Sequence, residues 1–305
     1  MSCERSKVKQ RRVLGLIVQG IFLVMTISIA GCKEQYVPST IIPHTPPAEG
    51  TFIASPQAST VEAFTPTPRI KAAESQHFVF FVDESNVDFI IQVDKIEQVY
   101  AYVTQRTGSP IRGKVDVTFR QPQVQPCPIR GIAVWPDLQI AIYADESAGQ
   151  DCILAVIACE IGHLIQFQSF DGGPTDPILL EGWATWVAGS YWIEWQRMPS
   201  FDEGVRSYLR DKRFVSISRF DISTLIYKSE ECLERRDIVY TEYASFLNYL
   251  IERYGINALN SLITANIPTS PPSEGADPRA DYQTVYGKTL QELENDWIKY
   301  LMGGN

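Results

Sequence analysis

The stretch "ILAVIACEIGHLIQFQSF", residues 153–170, holds a cysteine, a glutamate and a histidine at spacings that a helix turns into a site. Side chains four apart on a helix share a face, so Cys159 and His163 point the same way and can hold one ion between them. Glu160 tilts toward that ion without having to bind it. This is the geometry behind the H-E-x-x-H pattern, in which two imidazoles bind zinc and the glutamate takes a proton from water. Cys159 stands where that pattern has its first histidine. A thiolate is also a zinc ligand, and the pair needs a third donor from elsewhere. Glu181, in "LLEGWA" near the start of an otherwise apolar helix, is the candidate, because a carboxylate there is costly to bury unless a cation or a donor meets it. Thiolate donates more charge than imidazole, which weakens zinc as a Lewis acid. A nucleophilic Cys159–His163 pair is the competing chemistry, and it lacks an Asn or Asp to orient the imidazole.

The elements that must position these residues follow from periodicity. "HFVFFV" (77–82) reads as a short buried strand, 87–108 as a helix ending at Gly108, and "KVDVTFR" (114–120) as an alternating strand. Residues 131–145 read as two strand pieces broken at "PD", with "LQIAIYAD" (138–145) expected along the cleft edge, where it could pair with an extended substrate. The helix at about 148–169 is followed by the breaker-rich loop "DGGPTDP" and by one long apolar helix over 178–195. Trp183, Trp186, Trp192 and Trp195 crowd that helix and its end as packing aromatics. Further helices are expected at 237–254, 256–265 and 289–302. The fold class is therefore α+β: a mixed strand–helix lobe, then a helical lobe, with a cleft between them.

Charge and cysteines bound the setting. Residues 1–31 are a basic start and an apolar run, expected to leave as a signal peptide, the alternative being an uncleaved anchor. Without their five basic side chains and one acid the net charge moves from −9 to about −13. Such a surface repels phosphate backbones, so no nucleic-acid partner is expected. Residues 32–73 are rich in Pro, Thr and Ser and read as a tether, with His44 solvated inside it. The folded part is placed at 74–302. Cys127, Cys152, Cys159 and Cys232 would sit in a compartment where disulfides persist. Sequence alone leaves their pairing open, Cys127 with Cys152 being the chosen guess.

Two resemblances add to this. "IAGC" (29–32) resembles a bacterial lipoprotein signal, which implies lipid on Cys32 and attachment to the outer face of a cell membrane or envelope layer. "CEIGHLIQF", "LLEGWATWVAG", "VYTEYASFLNYLIERYG" and "VYGKTLQELENDWIKYL" together resemble the gluzincin metallopeptidases of the peptidase MA-like group, over about residues 77–302. The resemblance implies a zincin-like fold with a twisted sheet above the active-site helix and a helical C-terminal lobe. It makes Cys159, His163 and Glu181 the positions of zinc ligands, Glu160 the general base, and Tyr240 a group near the oxyanion. The expected function is that of a membrane-anchored zinc metallopeptidase acting on a peptide or protein. Its alternative is a pseudo-peptidase whose cleft binds a peptide or protein partner without cutting it.

Overall fold

The structure is a computed structural model that describes residues 68–124, 127–219, 232–269 and 277–303. The signal, His44, Cys32 and most of the tether lie outside the described residues.

Five strands form one mixed sheet in the order β1-β2-β3-β5-β4: β1 (Arg69–Glu74), β2 (Phe78–Asp83), β3 (Val115–Arg120), β4 (Gly131–Val134) and β5 (Gln139–Tyr143). β2, β3 and β5 run parallel, with β1 and β4 antiparallel on the two edges. Parallel neighbours need a crossover, and α1 (Val93–Thr107) supplies it between β2 and β3. Its end is set by Gly108 at φ 69°, whose N–H caps the Thr104 carbonyl. β1 lies inside the segment expected as tether. Its side chains are nearly all exposed, so no apolar alternation announces it; backbone pairing with β2 and an Arg69–Asp116 ion pair hold it.

The expected cleft-edge strand takes an interior place. β5 lies between β3 and β4, and the short, half-buried β4 forms the edge. Ile140, Ala141 and Ile142 are covered on both faces, as their unbroken apolar run suits.

α2 (Gln150–Phe170) runs beneath the β4–β5 side, enclosed from Leu154 to Gln166. α3 (Pro177–Ala188) packs between α2 and α6 (Cys232–Tyr254). Pro177 at its first turn and the Asp176 side chain on the Ile178 N–H start it. The single helix expected over 178–195 is broken at Gly189, and α4 (Ser190–Gln196) follows. Gly189 adopts φ 51° and ψ −117°, a conformation for glycine, and a Cβ there would collide with the Tyr102 hydroxyl that caps the Ser190 N–H. The apolar pattern runs through the break, so periodicity cannot show it. Small residues set the helix spacing. A Cβ on Gly162 of α2 would stand 3.3 Å from the Ala184 Cα of α3, and one on Gly182 would stand 3.0 Å from the Tyr243 Cβ of α6.

α5 (Phe201–Arg210), α7 (Ile256–Ala265), α8 (Tyr282–Tyr286) and α9 (Leu290–Leu301) complete the helical part. α9 opens with a reciprocal Thr289–Glu292 capping box. Cys127 is bonded to Cys232 across 105 residues, tying the segment before β4 to the first residue of α6. A sulfur carries one such bond, so this pairing takes the place of the guessed Cys127–Cys152 bridge. Cys152 is likewise no free thiol, and Cys159 is the free cysteine among the described residues. Closing so long a loop stabilises by about 4–5 kcal/mol on the chain-entropy account.

Candidate active site

α2 and α3 run antiparallel, so Cys159 faces Thr185 while His163, one turn on, faces Glu181, one turn back. His163 Nε2 lies 3.6 Å from Glu181 Oε2. That exceeds a hydrogen bond. Two donors on a tetrahedral zinc, each about 2.0–2.1 Å from it, stand about 3.4 Å apart, so the separation suits a shared ion. Burial pulls the His163 imidazole toward neutrality, but the Glu181 and Glu160 carboxylates more than offset this and raise its pKa. For Glu181, burial is likewise outweighed, by His163, Tyr240 and Arg236, and its pKa is lowered. His163 Nδ1 is enclosed without a hydrogen-bond partner among the described residues, whereas a ligating histidine ordinarily donates that N–H to a second group.

Glu160 lies beneath β4 and is 7% exposed. Burial pushes its carboxyl up to about 7; His163 opposes the rise, Glu181 adds to it, and the Ala133 N–H of β4 opposes it. The edge strand makes room for it through Gly131, where a Cβ would collide with Glu160 Oε1 and with Val156. A carboxyl that titrates near neutrality, in a group of ionisable side chains, is suited to taking and returning a proton.

Burial, then the Glu160 and Glu181 charges, raises the Cys159 pKa well above the ordinary thiol value, and the neighbouring Thr185 hydroxyl opposes the rise. Two carboxylates nearby disfavour a third anion. Among the described residues, no three of His, Cys, Asp or Glu converge closely enough to hold a metal ion. His163 and Glu181 have the spacing of two donors to one ion, and Cys159 does not close the set among the described residues.

Tyr240, from α6, joins the group. Its hydroxyl neighbours Glu181, and burial, then the Glu181 charge, hold the phenol protonated. Its ring is 6.2 Å from that of Trp192. Trp183, Trp186 and Trp192 are buried in the packing, as expected, and Trp195 is half-buried beneath the Arg130 guanidinium at 4.7 Å. Arg130 also grips Asp237 through two bonds of 2.5 and 3.1 Å.

Two members of the group had no part in the sequence reading: Thr185 and Arg236. Each stands one helical turn from a residue that was singled out, Thr185 four after Glu181 and Arg236 four before Tyr240. The i, i+4 rule, applied to those residues, is the signal that would have found them. A cavity of 360 Å³ elsewhere is lined by Asn86, Gln121, Asp145 and their neighbours, and none of these belongs to the group. The chain matches no known protein-family model and no curated protein.

Proposed function

We propose that this chain is a zinc-dependent hydrolase of peptide bonds with the zincin-like arrangement, lipid-anchored through Cys32 on the outer face of a membrane. The observation that carries the reading is the 3.6 Å approach of His163 Nε2 to Glu181 Oε2, with Glu160 buried one turn away on the same helix. His163 and Glu181 would hold zinc, with Cys159, as a thiolate, the third donor. The ion supplies Lewis acidity, which eases deprotonation of water and polarises a carbonyl. Glu160 takes the proton from the attacking water and returns it to the leaving amine, a task matched to a carboxyl that titrates at about 7. Tyr240, protonated beside Glu181, would present its phenol to the reacting carbonyl. Substrate access is from the Glu181 side, since its side chain is 24% exposed against 11% for His163.

A second reading has its own observation. The raised pKa of the Cys159 thiol, which disfavours a metal-binding thiolate, and the partnerless His163 Nδ1 suit a cleft that binds a peptide or protein and does not cut it. Zinc content and cleavage of a general protein substrate decide between the two. Stoichiometric zinc with turnover that Glu160→Gln abolishes is the result expected of the hydrolase. A wild type without zinc or turnover, which gains either only as Cys159→His, assigns the chain to the second reading.

A further inference from the structure

Arg236 is a buried cation without an ion-pair partner among the described residues. It is 8% exposed, and its hydrogen bond runs from Nη2 to the Pro128 carbonyl at 2.9 Å. A guanidinium carries five N–H donors. Asp237, the adjacent acid on α6, is taken bidentately by Arg130. The bond to Pro128 does not call for a cation. That segment is already fastened to α6 by the Cys127–Cys232 bridge and by the Arg130–Asp237 pair.

Burying an uncompensated charge is costly, and the buried acids Asp176 and Glu294 each have several hydrogen-bond donors. None of the guanidinium nitrogens is among the enclosed, unpartnered atoms of the described residues, so the remaining donors keep some exposure. Arg236 shares the face of α6 that carries Tyr240, one turn away, and its charge is felt at Tyr240, Glu181 and Glu160. The forked donor set therefore borders the place where a scissile carbonyl would lie.

We propose that Arg236 anchors a carboxylate of the substrate immediately beside the bond to be cut, so that the site takes peptides carrying an anionic group at that position. This deepens the peptidase reading above and rests on it for the identity of the substrate. A planar, singly charged carboxylate matches the fork. A doubly charged phosphate is disfavoured by Glu160, Glu181 and Asp237 nearby. The carboxylate belongs either to the peptide's C-terminus or to an acidic side chain.

The test uses the full-length chain and acetylated tetrapeptides of one sequence, ending in a free carboxylate or an amide, each with Glu or Gln at the penultimate position. Binding is followed by calorimetry and cleavage by mass spectrometry. Wild type is expected to bind one carboxylate-bearing member about tenfold or more tightly than its neutral twin. The free-or-amide and Glu-or-Gln pairs tell which carboxylate it is. Arg236→Met brings the ratio of binding between the carboxylate-bearing and neutral twins to about one. Arg236→Lys keeps the charge without the fork and weakens the preference several-fold, which decides the matter should the Met variant fail to fold. Equal binding of charged and neutral twins by wild type, absence of binding included, overturns the assignment. So does an equal loss on both twins in the variants, which would make Arg236 a structural support. Carboxylate preference without cleavage sinks the hydrolase reading alone, and cleavage without preference sinks this one alone.

Discussion

Two sets of buried carboxylates flank α6, and they are provisioned differently. On the C-terminal side, Asp176 accepts from the Ile178 and Ala280 N–H groups and the Tyr282 hydroxyl. Glu294 accepts from the Ile217 N–H, from Ser216 and Ser218, and from Gln291. Each is a knot that ties a loop to a helix. On the other side, Glu160 is buried and Glu181 partly exposed, and they lie against His163, Tyr240 and Arg236 with few hydrogen-bond donors. Asp176 and Glu294 are met by several donors of the fold, whereas Glu160 and Glu181 lie chiefly among other ionisable side chains. Glu242 is the instructive middle case. It is wholly buried, accepts from the Val215 N–H, and has a second oxygen without a partner among the described residues, yet no imidazole or cation stands beside it. Its pKa is raised well above the usual carboxylate range, chiefly by burial.

The contrast breaks most visibly at Glu160. Glu160→Gln is expected to lower cleavage by about a hundred- to ten-thousand-fold, measured as kcat/KM, without loss of fold. In metal-stripped protein the same change raises Tm above pH 7. A folded-state pKa of about 7 means that the native protein holds the proton more tightly than the unfolded chain between about pH 4.5 and 7. Wild-type stability therefore falls with rising pH across that window, and glutamine does not titrate. Asp176→Ala is expected to do the reverse. Three donors lose their acceptor, costing about 3 kcal/mol or more in denaturant unfolding, while turnover per folded molecule is kept. Loss of activity at unchanged stability in that variant would erase the distinction between the two sets.

A smaller effect sharpens it. Cys159→His, with a donor that titrates near neutrality, is expected to raise zinc affinity about tenfold or more by competition titration. The smallest is at Glu242. Glu242→Gln keeps the bond from Val215 and is expected to raise Tm by about 2–4 °C at pH 8. At pH 3 the gain disappears, because the wild-type carboxyl is protonated in both folded and unfolded states there.

How much of this was legible in the sequence follows the same division. The core helix α2 was, since its apolar run admits few other placements and puts Glu160 and His163 a turn apart. Glu181 was, because an acid in so apolar a helix has to be explained. β1 was not: an exposed edge strand held by backbone bonds has no pattern of its own. The break at Gly189 was hidden by apolar residues on both sides of it. The Cys127–Cys232 pairing and the turning of Cys159 toward Thr185 are tertiary facts, decided by which helix arrives opposite. Arg236 looked like one more charge at the start of a helix, and only its burial without an acid sets it apart.

The near-contact of Gly162 with Ala184 bears on more than packing. With no methyl between the two helices, their backbones approach as closely as atoms allow, one residue before the histidine that meets Glu181. Inserting that methyl forces the rods apart by a few tenths of an ångström, the margin within which a divalent ion accepts or refuses a pair of donors. On the hydrolase reading, the grip on a cation would thus be governed by a residue that has no side chain and touches no ligand, so affinity could be retuned while every chemically active group stays untouched.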